Sequence, residues 1–521
     1  MTPVGRARRP WLEAVVPPLA LFAVCLVVRV VMQSGFVMGD DMAVVAVADT
    51  QSEKLHWVRE QVNLRFGVWL PYILSFKVFG NGEIGFFAPT WIISSSFGSV
   101  AYILLRRWGY SVAAAFFAGL FVGLSPFEVL IGTSMANDIL LAGVFVYGFV
   151  AWQYRDAVPK LAGALIGALL WFGFFNKAWV IYAFPFLGIE FLRDFYDRGR
   201  RMGFWAFLAV TMLVLHAATA WSCMRALHDP FPLLRLLPAH YAVPREKLRA
   251  TLLIYPREIF LGDEETHTTL FGAVPYVWLV AFCAALVLRG PRRVLVRDRA
   301  NIELLAMSLG MFLLINFVPN YYSLTEYHSA PRIFRYLTPI SFFLSLHTAK
   351  LLIDSALSLP RAAAMVAPVG AAALLVVNVI GALRATGPGR ENRRIVDAVV
   401  ETITAECPPE LLMDNWQGYF FGRLYLKRKC PKTVVHGLAF RSRADDDAEK
   451  EFHNYEAQIP DGSMMVTGFG SYVYYPCYDC RIEPAFMKTP IAKQWEVVRD
   501  VGAITFRPAP VDVKVWRWRA K

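Results

Sequence analysis

Residues 6–41 read RARRPWLEAVVPPLALFAVCLVVRVVMQSGFVMGDD. Arg6, Arg8 and Arg9 precede an apolar run from Pro10 to Met32, and an acidic pair, Asp40 and Asp41, follows it. A helix needs about 20 mostly apolar residues to cross the hydrocarbon layer, and this run has that length. A signal peptide also starts with a basic flank, but it ends at a small-residue cleavage site. No such site follows, whereas further apolar runs do. The segment therefore reads as a retained first membrane helix with its basic flank in the cytoplasm, which puts Asp40 and Asp41 just beyond the opposite face.

Outward from this stretch, apolar runs recur at 11–33, 84–105, 111–125, 138–153, 161–175, 178–192, 203–223, 271–289, 301–318, 335–353 and 362–383. They predict a mainly α polytopic bundle of about eleven spans. With 56% hydrophobic and 18% charged residues, the composition excludes an ordinary soluble domain. The net charge of +12 does not indicate a nucleic-acid partner. The basic residues fall in short segments (RARRP, LLRRWGY, YRDAVPK, RDFYDRGRR and RGPRRVLVRDR) that alternate with loops poor in Lys and Arg. Such segments stay in the cytoplasm and meet anionic lipid headgroups. The loops at 34–83, 126–137, 224–270 and 319–334 then face outward, and an odd number of spans puts the C terminus outside too.

Composition shifts at Ala385-Thr-Gly-Pro-Gly-Arg390. Residues 1–383 form the membrane core in this reading, and 384–521 a small extracytoplasmic α/β domain. Ile395, Val399 and Ile403 are spaced as on a helix, while TVVHGLAF, SMMVTGF and GAITFRP read as strands. Four of the seven cysteines (Cys407, Cys430, Cys477 and Cys480) lie in this domain. An oxidising compartment permits them to pair, consistent with the topology.

The first outer loop, 34–83, is the richest in candidate chemistry. Arg29 lies within the preceding span, where a cation is costly and marks a functional candidate, although it could also snorkel to headgroups. A partly desolvated carboxylate at the membrane surface, close to a cation, suits a general base acting on a hydroxyl. The competing reading of Asp40 and Asp41 is a polar helix end.

The acidic pair after the first helix, the Arg65 that follows it and the apolar segment ending in KVFG resemble the GT-C glycosyltransferases. The likeness is to the bacterial branch that includes the lipid A aminoarabinose transferase and the protein O-mannosyltransferases. GTSMANDILLA, with Asp138, resembles that family's second outer loop. FFNKAWVIYAFPF, with Lys177, resembles its Ser-Lys segment, and PRIFRYLTPISFFLSL, with Arg332, Arg335 and Tyr336, resembles its Arg-Tyr-x-x-Pro motif. The matches keep their order over residues 14–353 and share one membrane face. Here the second acid is Asp where the family more often has Glu.

The resemblance implies a polyprenyl-phosphate sugar as donor and a glycolipid, polysaccharide or protein as acceptor. It also implies Asp40 or Asp41 as the base of an inverting transfer at the outer face of a bacterial inner membrane. A phosphate leaving group needs cations beside an apolar groove, and Arg supplies a bidentate fork. Arg65, Lys177 and Arg335 are the phosphate candidates. Arg29, Asp138, Glu326, His328 and Tyr336 are candidates for substrate contact.

No metal ligand set stands out. Asp263, Glu264, Glu265 and His267, with His240 upstream, could hold a divalent cation but read more readily as a solvated acidic loop. Some members of the family use a metal and others do not, so metal use stays open. Asp445-Asp446-Asp447 lies in a charged, solvated stretch. Cys477-Tyr-Asp-Cys480 has redox spacing, but Arg481-Ile-Glu-Pro484 is a poor helix opening, so a structural disulfide is expected, either within this pair or to Cys407 and Cys430, ahead of a four-Cys zinc site. His216, inside a span, reads as a packing residue. A transporter or flippase of lipid-linked glycans would share the hydropathy, but its site is expected at the bilayer midplane.

Overall fold

The fold is that of a computed structural model. It describes the chain apart from residues 1–9, 34, 36–39, 54–60, 135–136, 198, 200, 234–247, 262–269, 318–336, 361–365, 414–415, 438–458, 469–493, 505–510 and 520–521. Contacts divide it into two units. The first takes in residues 1–32, 57–68 and 89–385, and the second 33–56, 69–88 and 386–521.

The helices are, in chain order, α1 (Pro10–Val31), α2 (Asp40–Glu53), α3 (Phe66–Phe79), α4 (Glu83–Arg107), α5 (Val112–Gly123), α6 (Pro126–Gly132), α7 (Asp138–Gln153) and α8 (Pro159–Phe174). They continue with α9 (Phe184–Tyr196), α10 (Met202–Leu227), α11 (Leu248–Phe260), α12 (Val274–Arg289), α13 (Arg299–Phe317), α14 (Thr338–Leu357) and α15 (Ala367–Glu406). Among the described residues six are long and apolar enough to cross a membrane, or up to seven if α5 and α6 form one bent span. Four more apolar helices (α3, α7, α8 and α12) have only 10–17 residues. Apolar runs in the sequence thus outnumber full-length helices, because several runs are broken or short.

The break between α5 and α6 has a local cause. Ser125 precedes Pro126, and a residue before proline is pushed from the helical region to extended backbone. Ser125 has φ −61° and ψ 138°, and the axis turns by 57°. The turn leaves the Gly123 carbonyl without a helical donor, and Arg29 Nη1 supplies one at 2.6 Å. Arg29 also reaches Ser94 Oγ at 3.1 Å and is fully buried. It therefore neither snorkels nor meets solvent, and ties α1 to α4 and α5.

Close packing of α8 on α10 rests on Gly163 and Gly167. A Cβ at either glycine would run into the backbone carbonyl oxygen of Phe204 or Leu208. Small residues four apart let helix backbones approach this closely.

The basic-loop ends of the first unit are joined by ion pairs. Lys350 Nζ on α14 donates to Asp298 (2.8 Å), Asp354 (2.9 Å) and Asn301 (2.9 Å). Arg289, which ends α12, pairs with Asp354 and reaches Asp298 at 3.5 Å. Asp298 also caps α13 through the Asn301 amide at 3.2 Å. Burial alone would raise the Asp298 carboxyl, but Lys350 and Arg289 more than offset this and hold it below the usual carboxylate range. Nearby, a hydrogen bond from Arg201 likewise holds Asp156 low. A depressed carboxylate stabilises the fold above its unfolded pKa of about 3.9, and that contribution fades as pH falls through the lower folded value. Asp298→Asn is expected to cost about 2–3 kcal/mol, less than for an isolated buried pair because Lys350 keeps two partners. Melting of the solubilised protein at pH 7 checks this, and the gap to the parent should narrow under strong acid.

The second unit carries five strands among the described residues: β1 (Glu410–Met413), β2 (Val434–Gly437), β3 (Met464–Thr467), β4 (Trp495–Ile504) and β5 (Val511–Trp518). Their order is β2-β1-β3-β5-β4. β1 pairs parallel with β2 and β3, and β5 pairs antiparallel with β3 and β4. Leu411, Leu412, Met413, Met464, Met465 and Val466 are buried, so the central strands form the core of this domain. Cys407, just past α15, is disulfide-bonded to Cys430. Cys477 and Cys480 lie outside the described residues.

Candidate functional site

Lys177 stands in extended backbone between α8 and a 3-10 turn, Ala178–Ala183. Its amide still bonds the Gly173 carbonyl at 2.8 Å, so the side chain leaves from a fixed helix end. The ammonium pairs with Asp138, the first residue of α7, and lies 6.0 Å from the Trp179 ring centroid. The Asp138 side chain is 3% exposed and that of Lys177 16%, so the lysine is the more accessible partner.

Arg65, the residue before α3, reaches the same helix end. Its Nε donates to the carbonyl of Asn176, the residue before Lys177, at 2.8 Å. Asn176 in turn donates to the Gly67 carbonyl at 3.2 Å. Phe66 stacks on Phe175 with centroids 4.2 Å apart and meets Trp171 at 5.1 Å. Lys177 and Asp138 thus pair across 39 residues, and Arg65 holds the backbone just before the lysine.

A cavity of about 340 Å³ lies between α7, α8, α9 and α13. Val144, Gly148, Phe149, Leu170, Phe186 and Met307 line it, and Val180, one 3-10 turn past Lys177, is on its wall. Its lining includes Glu190 and Glu303, both held by ion pairs. Arg299 reaches Glu190 at 3.0 Å and Glu303 at 2.9 Å, and Gln153 donates to Glu303 at 2.6 Å. The result is an apolar slot with a neutralised polar end, and its wall at Val180 comes three residues after Lys177 in the chain. That combination suits a long hydrocarbon chain attached to an anion.

Asp40 and Asp41 open α2, in the second unit. The first turn of a helix presents free backbone N–H groups, which favour negative charge there. Glu326, His328, Arg332, Arg335 and Tyr336 lie outside the described residues, as do His240, Asp263, Glu264, Glu265, His267 and Asp445-Asp446-Asp447. Among the described residues no three His, Cys, Asp or Glu side chains could share a metal ion. His216 Nδ1 lies 2.8 Å from the Met212 carbonyl, within its own helix.

One buried acid was missed in the sequence. Glu128 on α6 accepts a hydrogen bond from Ser341 on α14, and its Oε2 has no partner among the described residues. The signal was present, since a carboxylate inside the apolar run GLSPFEVLIG is costly.

Neither a family model nor a curated protein matches the chain's sequence. Solved structures do match its fold. The crystal structure of ArnT from Cupriavidus metallidurans bound to undecaprenyl phosphate aligns with a TM-score of 0.60 at 14% identity, over 98% of both chains. The apo structure of the same protein aligns with a TM-score of 0.59 at 14% identity, over 96% of this chain and 97% of that one. At this identity the likeness concerns the fold, and it takes in the bundle and the small sheet domain together. The chain has an ArnT-like fold.

Proposed function

We propose that the protein is a membrane glycosyltransferase that takes a sugar from a polyprenyl-phosphate donor and passes it to an acceptor hydroxyl. The observation that carries this reading is that Arg65 and Lys177 meet at one helix end, Arg65 on the Asn176 carbonyl and Lys177 on Asp138, in a fold shared with ArnT, whose crystal structure holds undecaprenyl phosphate. Arg65 and Lys177 bind the phosphate, joined by Arg335, and the isoprenoid chain lies in the cavity. Asp138 keeps Lys177 charged and aimed. Asp40 or Asp41 takes the proton from the acceptor hydroxyl as its oxygen attacks the anomeric carbon. The C–O bond to phosphate breaks, polyprenyl phosphate leaves with the electron pair, and configuration inverts. Glu326 and His328, in the segment 319–334, and Tyr336, at the entry of the next apolar run, contact the substrates.

The reaction takes place at the outer face of a bacterial inner membrane. The basic segments support a cytoplasmic N terminus. The Cys407–Cys430 bond supports an oxidising compartment around the second unit. The acceptor, whether glycolipid, polysaccharide or protein, is set by groups that the fold does not specify.

The test is turnover of a panel of lipid-phosphate sugars by the reconstituted protein with cell-envelope extract as acceptor. One donor is expected to release polyprenyl phosphate as its sugar moves to the acceptor. Transmembrane movement of every donor without cleavage would instead mark a flippase. The cavity gives a second test. Gly148 lines the cavity, and a Cβ built there meets no atom of the described residues within 4 Å, so Gly148→Phe can start its side chain into the slot. KM for a long-chain donor is expected to rise about tenfold or more, while a short-chain donor is little affected.

A further inference from the structure

The second unit draws together both ends of the first outer loop. Arg393 on α15 donates from Nη1 to Gln33 Oε1 at 2.7 Å and from Nη2 to Glu83 Oε1 at 2.9 Å. Gln33 follows α1 and Glu83 opens α4, so one guanidinium joins the residue before the loop to its last residue. Gln33 also donates to Glu83 at 3.0 Å, closing the triangle. Room for this is made at Gly35, whose φ is +77° and where a Cβ would meet Arg393 Cγ at 3.0 Å.

A second arginine grips the loop's interior. Arg428 Nη2 donates to Asp49 Oδ1 on α2 at 2.8 Å, and its Nη1 donates to the Asn81 carbonyl. Asn81 Nδ2 donates to the same Asp49 oxygen at 2.7 Å. The α2 helix packs on α16 (Trp416–Phe421), the helix that leads towards Arg428. Arg428 stands two residues before Cys430, whose disulfide to Cys407 ties that turn to the end of α15. The two arginines are thus fixed to one covalently braced frame.

We infer that the small domain is a positioning device for the acidic pair, with Arg393 and Arg428 as its two positioning residues. This rests on the reading of Asp40 or Asp41 as the base. Asp49 lies nine residues after Asp40, about 13 Å along a helix axis, so a tilt of about 5° at the grip moves the first turn by about 1 Å. A displacement of that size costs about a hundredfold in rate. Arg428 fixes α2 along its length and Arg393 fixes the feet of the loop that carries it.

The test uses the full-length protein in nanodiscs, with kcat, donor KM and binding of undecaprenyl phosphate measured for each variant. Arg393→Gln and Arg428→Gln are each expected to lower kcat about ten- to a hundredfold, with donor KM within about twofold. Arg428→Lys keeps the charge but not both donors, and should recover part of the loss. Asp49→Asn added to Arg428→Gln should cost little more, because both act through one contact. Three results overturn the inference: kcat within about twofold of the parent in both Gln variants, losses in the double variant that simply add, or loss of lipid binding together with kcat, which marks general misfolding. Failure of the underlying reading is separate, for then Asp40→Asn and Asp41→Asn themselves keep full activity.

Discussion

Asp40→Asn together with Asp41→Asn is expected to lower kcat by about 10²–10⁴-fold, with donor KM changed by less than about threefold. Asn keeps the size and a hydrogen-bonding oxygen but cannot take a proton. The loss therefore reports proton transfer and not packing. The single variants assign the role, because the base accounts for most of the loss and its neighbour for a smaller part. The readout is sugar transferred from a labelled lipid donor by protein of normal yield and melting behaviour. A double variant that transfers sugar at the parental rate would remove the acidic pair from the chemistry.

Lys177→Gln has the second-largest expected effect, a fall in kcat/KM for the donor of about 10²–10³-fold. Losing one partner of a buried charge pair costs roughly 2–5 kcal/mol. Two consequences are mixed in that figure: the phosphate loses a cation, and the buried Asp138 carboxylate loses its lysine. Adding Asp138→Asn separates them, since it relieves the stranded carboxylate without restoring a cation. Folding yield should recover in the double variant while donor binding stays weak. Lys177→Arg keeps the charge and should retain most of the binding. Arg65→Gln should also weaken the donor, since the half-buried Arg65 holds through Nε the Asn176 carbonyl that sets the backbone before Lys177.

Much of the architecture could be read from apolar length and the placement of charge. Both signals are local, and a span or a basic loop declares itself within about twenty residues. The break at Ser125-Pro126 is equally local, yet its consequence is not. That Arg29 would serve the Gly123 carbonyl, 94 residues away, depends on packing that no window of sequence contains. The same holds for the phosphate cluster. Lys177 and Asp138 each stood out as polar residues at helix ends, but their pairing across 39 residues, and the joining of Arg65 across 111, is a tertiary fact. Arg393 and Arg428 carried no sequence signal at all. They sit in charged stretches that look solvated, and their partners lie up to 379 residues away. Residues 318–336 hold Glu326, His328, Arg335 and Tyr336, whose roles rest on the loop motif alone.

Donor binding in the proposed reaction needs an anion held by Arg65 and Lys177 and a lipid chain in the apolar slot. Undecaprenyl phosphate added to the purified protein, followed by structure determination in a nanodisc, examines that directly. The phosphate is predicted within hydrogen-bonding reach of Lys177 Nζ and the Arg65 guanidinium, with its isoprenoid chain running past Val180, Leu170 and Gly148. A phosphate seated instead at the Lys350–Arg289 end of the bundle, or a lipid that leaves the Lys177–Asp138 pair and the slot untouched, would contradict it.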